Sequence, residues 1–215
     1  MKAISLTQPW ASLMALGCKT IETRCWPTKE RGYIAIHAAK KMTTADKDFA
    51  ARSKVVVALE AARLIRIEQK MPAIEWLEDY HNTNANALPR GEIVAVVHLS
   101  HCEETNRVFD VTRPLDDSRV LWSPRLAHPF AQKRLVPANE RYFGDYRVLD
   151  DNGKQRYAFW TTFAVPLLQT VPCTGALGLW DIPDEHHTTL MLRLSEQGVE
   201  LPPPAQIGAP GRGRW

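Results

Sequence analysis

The first 26 residues constrain this chain more tightly than any later stretch. They alternate between two periods within a very short span. Residues 2–7 read as a strand. Pro9 then suits the first turn of a helix, where a missing N–H is tolerated, and Trp10, Leu13 and Met14 at spacing i, i+3, i+4 give that helix one apolar side. Gly17 can close it in the left-handed conformation. Residues 20–25 return to a strand, but one with charges on alternate positions: Thr20, Glu22 and Arg24 share one face, and Ile21, Thr23 and Cys25 the other. Polar chemistry is therefore gathered beside a helix end, with Trp26 close by. Such a unit needs a partner sheet to bury its apolar side and leaves a polar patch at the junction.

Length and composition set the outer bounds. A chain of 215 residues with 45% hydrophobic content accommodates one large domain or two small ones. It can bury about 70% of its unfolded surface, so no disulfide or metal is needed for folding. No apolar run reaches the ~18 residues of a membrane span, and the N-terminus lacks the apolar segment of a signal peptide. Cys18, Cys25, Cys102 and Cys173 are scattered with no Cys-x-x-Cys spacing, which reads as reduced thiols in a cytoplasmic protein. No cofactor and no metal site is assigned.

The net charge of +3 says little, but its distribution is uneven. Residues 1–70 hold 13 Lys or Arg against 6 Asp or Glu, whereas residues 71–118 hold 3 against 9. The basic excess coincides with the N-terminal block, which suits an anionic ligand such as RNA or a nucleotide. Charges of this kind also simply solvate helix faces.

Further along, residues 33–38 read as a strand. Residues 44–69 read as a helix or helix pair, N-capped by Thr43 or Thr44, with Asp46 and Asp48 in the first turn and an apolar stripe of Val55, Leu59, Ala62 and Ile65. Pro72 opens a shorter helix to about Tyr80, packing through Ile74, Trp76, Leu77 and Tyr80, and residues 82–86 form a turn-rich connector. Residues 91–99 are a nearly continuous apolar strand, as expected at the centre of a sheet. The segment 103–141 lacks a period and reads as a long loop with short helical turns. Residues 156–165 form another strand, with Tyr157, Phe159, Thr161 and Phe163 on one face and Ala158, Trp160, Thr162 and Ala164 on the other. A last helix spans 184–197, with Leu190, Met191 and Leu194 on one side, followed by a Pro/Gly/Arg tail too poor in apolar residues to fold alone.

These residues carry a family resemblance. The run Ser5-Leu6-x-Gln8-Pro9-Trp10-Ala11-Ser12-Leu13, then Gly17-x-Lys19-x-x-Glu22-x-Arg24-x-Trp26, resembles the opening of an ASCH domain, a member of the PUA-like superfamily. The likeness continues through Arg31-Gly32 and Ile34 to Lys41, and resumes at Gly91–Val97, Phe143-Gly144-Asp145-Tyr146, Arg156–Phe159 and Pro172–Trp180. It covers roughly residues 2–182, with insertions at about 42–90 and 103–141, leaving 183–215 as a C-terminal helix and tail. The resemblance implies an α+β, PUA-like fold: a small mixed β-barrel of five to six strands with surrounding helices and an extended loop insertion. It also implies RNA, a modified base or a nucleoside as ligand, bound in a cleft between barrel and helices.

Each candidate residue has a bland alternative. Lys19 can neutralise a phosphate or, if desolvated, act as a base or nucleophile; it can equally be a helix C-terminal cation. Glu22 and Arg24 can face a base and a phosphate, or simply pair with each other. Trp10 and Trp26 offer stacking surfaces, although aromatics at such spacing more often fill a core. Lys40 and Lys41 are plausible phosphate contacts, Gln8 sits beside the cleft, and Tyr146 can line its wall. His37 can be a general base but lies among alternating apolar residues, as a hydrogen-bonded core histidine would.

Three function classes follow. The first is recognition of RNA or a modified nucleobase around Gln8, Lys19, Glu22 and Arg24. The second is hydrolysis. Some ASCH-like proteins deacylate N4-acetylcytidine with a Lys, a Thr two residues before the strand Arg and a remote Glu; ribonuclease activity is also attributed to the family. Here Lys19 and Arg24 match, but Glu22 occupies the Thr position. A carboxylate does not replace the hydroxyl as acyl acceptor, though it can activate water, so Lys19 and Glu22 are the candidate catalytic residues. Glu92, Glu140 and Asp145 are candidates for the remote acid by neighbourhood. The third class is a protein-interaction scaffold built on the long loop and tail. Under the first reading, Arg24→Ala weakens ligand binding and leaves melting nearly unchanged.

Overall fold

In the computed structural model the described residues are 1–80, 85–108 and 140–201. Six strands form one mixed sheet: β1 (Lys2–Leu6), β2 (Ile21–Arg24), β3 (Gly32–Ala38), β4 (Glu92–Glu104), β5 (Tyr157–Pro172) and β6 (Leu179–Asp181), in the order β2-β5-β4-β3-β1-β6. Only β1 and β3 run parallel; the other neighbours are antiparallel. The sheet curls into a half-barrel, consistent with the PUA-like α+β fold. Across the open seam edge strand β2 approaches β1 beyond the end of β6, and the Arg24 guanidinium donates to the Ser5 carbonyl at 2.8 Å. Strand β6 pairs only with Lys2–Ile4, so Ser5 lies past its end and needs another donor.

β4 and β5 extend beyond the apolar runs that mark them in the sequence. The continuation of β4 through His101-Cys102-Glu103-Glu104 is polar and half-exposed, and pairing with Tyr157–Trp160 rather than hydrophobicity holds it in the sheet. Register shifts between these strands also overturn the simple two-face reading of β5. Tyr157 and Phe159 pack with Ala164 in one core, whereas Phe163 and Val165 join the core on the opposite side. An extra residue on β5 near Thr161–Ala164 reverses the alternation. Pro166 lies at a further irregularity, where a missing N–H breaks no regular ladder.

The inner core is formed by Ile4, Leu6, Ile34, Ile36, Val94, Val97, Leu99 and Phe159, covered by α1 (Trp10–Ala15) through Ala11, Met14 and Ala15. On the other side, α6 (Asp184–Glu196) lays Leu190 and Leu194 against Ala3, Ala35, Ile93 and Val96. Met191, placed with them by sequence spacing, is instead exposed, because the buried pair follows an i, i+4 line and Met191 falls beside it.

Residues 42–90 supply a helical layer rather than a second sheet. Thr43 caps α2 (Thr44–Ala50) in a capping box with Asp46; Asp48 lies beyond the first turn. The chain breaks at Ala51-Arg52 before α3 (Ser53–Glu68), so the predicted helix is a pair. Only Val55 and Leu59 of the expected stripe are buried, while Ile65 is exposed at the distal end. α4 starts at Glu75, later than Pro72, and ends at Asp79; Ile74, Trp76, Leu77 and Tyr80 are buried as expected. These residues join Leu13 and Phe143 in a third core that braces α1. A short helix, α5 (Thr105–Val108), follows β4. Most of the loop at 103–141, part of the connector at 82–86 and the tail from 202 lie outside the described residues. No helix among the described residues is long and apolar enough to cross a membrane.

Candidate functional site

The site is built where α1 hands over to β2. Gly17, at φ 70°, turns the chain after the helix, and the Lys19 backbone N–H donates to the Leu13 carbonyl at 3.0 Å. At the start of α1, Gln8 does a capping residue's work. Its Oε1 accepts from the Ser12 backbone N–H at 3.1 Å, and its Nε2 donates to the Pro89 carbonyl at 2.7 Å. Gln8 is fully buried with both ends of its amide satisfied. The structure therefore gives it the role of fixing α1 against the segment before β4, rather than an open cleft contact.

Lys19 is 1% exposed. Its ammonium donates to the Ile21 carbonyl, lies 3.6 Å from Glu22 Oε2 and 3.8 Å from Glu140 Oε1, and sits 5.6 Å from the centre of the Tyr146 ring. A cation taken out of water needs this compensation. Glu140, also fully buried, is held from several sides: by the Thr20 backbone N–H at 2.6 Å, the Ile21 N–H at 3.1 Å, the Thr20 hydroxyl at 3.2 Å and the Tyr146 hydroxyl at 2.9 Å. Its carboxylate thus covers backbone donors at the start of edge strand β2. Burial, reinforced by Glu140 and Glu22, pushes the Tyr146 phenol well above its ordinary pKa, so it stays protonated as a donor.

Of the three remote acids considered, Glu140 is the one in contact with Lys19. Glu92 bonds the Thr170 hydroxyl. Asp145 pairs with Arg147 at 2.7 Å, and that partner holds its carboxyl below the usual range. Sequence reasoning offered Glu140 only by proximity to the Phe143–Tyr146 block; it follows a segment without periodicity, and no spacing links it to Lys19.

Glu22 and Arg24 form the other half of the site. Their register partners are Phe159 and Tyr157, so all four project on the inner face of the half-barrel. Trp26 packs edge-on against Phe159, with ring centres 5.0 Å apart, and remains partly exposed. Glu22 Oε1 lies 3.4 Å from Arg24 Nε, yet that nitrogen is without a hydrogen bond among the described residues. The Glu22 side chain is 14% exposed and has two ion-pair neighbours but no hydrogen bond among the described residues. Arg24 is tied to Ser5 through Nη2, leaving Nη1 without a partner among the described residues.

The remaining candidates lie apart. Trp10 stacks on Phe49, with ring centres 4.8 Å apart, and so has one face occupied. Lys40 and Lys41 are exposed after β3, and no described contact joins them to Glu22 or Arg24. His37 is buried, with Nδ1 3.1 Å from the Ser5 hydroxyl and Nε2 3.0 Å from the Cys173 carbonyl. A carbonyl only accepts, so Nε2 carries the proton in the neutral ring. Burial lowers the His37 pKa, with the Cys173 carbonyl and Glu92 opposing it. The Trp180 indole donates to the same hydroxyl at 3.2 Å, and a Cβ at Gly175 would collide with both His37 and Ser5. This network pins the β5–β6 connection, and Gly175 is the residue that allows so close an approach. The four cysteines are free; burial raises the Cys18 pKa to about 11. Among the described residues no group of His, Cys, Asp and Glu is arranged to hold a metal.

Comparison with known proteins bears on this arrangement. No curated protein sequence matches the chain. Among solved structures it is similar to an ASCH protein from Zymomonas mobilis at 14% identity, covering 89% of this chain and 93% of that one, with a TM-score of 0.44. A Tyr-to-Phe variant of that protein is similar at 13% identity (89% and 96% covered, TM-score 0.41), and a Ser-to-Ala variant at 14% (89% and 94%, TM-score 0.43). The profile of the ASCH domain family matches residues 4–118, more than half of the sequence, and takes in α1, β2, Lys19, Glu22 and Arg24. The chain belongs to the ASCH domain family.

Proposed function

We propose that this ASCH domain recognises RNA or a modified nucleobase, with the base held on the inner face of the half-barrel beside Glu22 and Arg24. One observation carries the reading: a carboxylate largely withdrawn from water, flanked by two cations, that accepts no hydrogen bond among the described residues. The Glu22 oxygens are paired only with cations and still reached by solvent, so their lone pairs are open to N–H or O–H donors of a ligand. A base supplies such donors on its edge. Partly exposed Trp26 and Tyr157 provide flat walls, and the free Nη1 of Arg24 suits a phosphate oxygen.

Lys19 acts from behind. Its buried charge holds Glu22 in place and brings Glu140 into the same framework, which keeps the acceptor oriented without reaching the ligand. Hydrolysis of a modified nucleoside such as N4-acetylcytidine, or of RNA, is the second reading. The observation favouring it is the 3.6 Å approach of Lys19 to Glu22, a carboxylate able to take a proton from water. The 1% exposure of Lys19 weighs against its own attack on a substrate.

The test is a panel of short RNAs and nucleosides, N4-acetylcytidine among them, with binding followed by calorimetry and product by chromatography. The expected result is binding to at least one member, lost in Glu22→Ala, with no product. Turnover lost in Glu22→Ala makes the protein a hydrolase. Absence of any binding overturns both readings. If the bound form is RNA, affinity falls steeply as salt is raised, because phosphate contacts release counterions.

A further inference from the structure

We infer that the ligand edge read by Glu22 is a donor–donor edge, which among the common bases is the N1–H and N2–H pair of guanine. The inference rests on the nucleobase reading above and deepens it. An ionised carboxylate has two acceptor oxygens and no donor. Both Glu22 oxygens face cations in ion pairs that are not hydrogen bonds, 3.4 Å to Arg24 Nε on one side and 3.6 Å to Lys19 Nζ on the other. The two ion pairs approach different oxygens, so the carboxylate is held from both ends and its remaining acceptor capacity belongs to both atoms. The ligand that satisfies such a group presents two adjacent parallel N–H donors.

Guanine offers these on its Watson–Crick edge. Adenine and cytosine each put an acceptor next to the amino group, and that acceptor would face a carboxylate oxygen. Uracil offers one N–H between two carbonyls. An acetyl group on the cytosine amine leaves a single N–H there and adds a further carbonyl. Glu22 rejects such an acceptor by repulsion as well as by a missing bond.

The wild-type protein alone gives a test that needs no variant. Binding of guanosine, inosine (no N2 amino group), N1-methylguanosine (no N1–H), adenosine, cytidine and N4-acetylcytidine is measured by calorimetry. Guanosine is expected to bind about tenfold or more tightly than inosine and N1-methylguanosine. Glu22→Gln replaces one acceptor by a donor and is expected to shift preference from guanosine towards cytidine or adenosine, measured at a temperature where the variant is folded. Equal affinity for guanosine and inosine, or an order unaltered in Glu22→Gln, overturns the inference while leaving nucleobase recognition standing. Failure of wild-type protein to bind any nucleoside or RNA overturns nucleobase recognition, and the inference with it.

Discussion

Two acid–base pairs meet at the start of β2, and they differ in how completely the protein satisfies them. Lys19 and Glu140 are both withdrawn from water, and Glu140 receives four hydrogen bonds from Thr20, Ile21 and Tyr146. Glu22 and Arg24 are more open, with side chains 14% and 29% exposed, and the contact between them is an ion pair without a hydrogen bond. Burial and hydrogen-bond completion thus fall off together from the first pair to the second. Glu140 has its partners within the framework, whereas under the proposed function the unmet lone pairs of Glu22 are completed by a ligand.

The strongest way to break this contrast is Glu140→Ala. Removing it leaves Lys19 short of compensation and the Thr20 and Ile21 N–H groups unpaired, so a loss of about 3–5 kcal/mol is expected. Chemical denaturation measures this directly; a loss within ~1 kcal/mol would show that Glu140 is dispensable to the framework.

Gln8→Ala is expected to cost about 2 kcal/mol or more, because it strips a helix N–H and the Pro89 carbonyl of their partners at once. Nucleoside affinity in the surviving folded protein should stay within about twofold of wild type. A selective loss of affinity at unchanged stability would return Gln8 to the ligand site.

Arg24→Ala sharpens the comparison from the open side. The sequence reading expects melting to be nearly unchanged, but Arg24 also bridges the seam to Ser5. A stability loss of about 1–2 kcal/mol is now expected together with weakened binding. Ligand affinity unchanged at that stability cost would make Arg24 purely a seam residue.

Acid supplies a milder perturbation. Burial lowers the pKa values of His37 and His98 in the native state, so both are held neutral there. The unfolded chain binds more protons below about pH 6.5, and their contribution is present above that pH and is lost as pH falls through it. Melting temperature should therefore decline between pH 7.5 and 5.5; a flat profile would contradict it.

Glu22→Ala is expected to cost less than Glu140→Ala, about 1–2 kcal/mol, because Lys19 loses one ion pair but keeps Glu140 and the Ile21 carbonyl. Its effect on binding should be the largest of the set. Destabilisation comparable to Glu140→Ala would erase the distinction between the two pairs.

Much of the fold is legible locally. Apolar runs and alternation identify β1, β3 and the central part of β4, Gly17 marks the end of α1, and Thr43 with Asp46 marks the start of α2. The limits appear where distant partners intervene. The polar end of β4 has no strand signature and is held by β5, and the bulge in β5 reverses its faces beyond Thr161. At the site, alternation places Glu22 and Arg24 on one face, but nothing local distinguishes Lys19 as a buried cation from Lys40 or Lys41 as exposed ones. Trp10 and Trp26 are likewise alike in sequence, whereas one stacks on Phe49 and the other flanks the inner face.

The sequence by itself determined which residue types lie on β2 and at what spacing, because side-chain alternation follows from backbone geometry alone. It also determined the family, through the stretch of residues 4–118 that the ASCH domain profile matches. Only the tertiary structure decided which charges are complete. Glu140 reaches Lys19 across 121 positions, and Arg24 reaches Ser5 across a seam that exists only once the sheet has curled. Desolvation and hydrogen-bond completion depend on every atom within a few ångströms, and those neighbours come together only on folding.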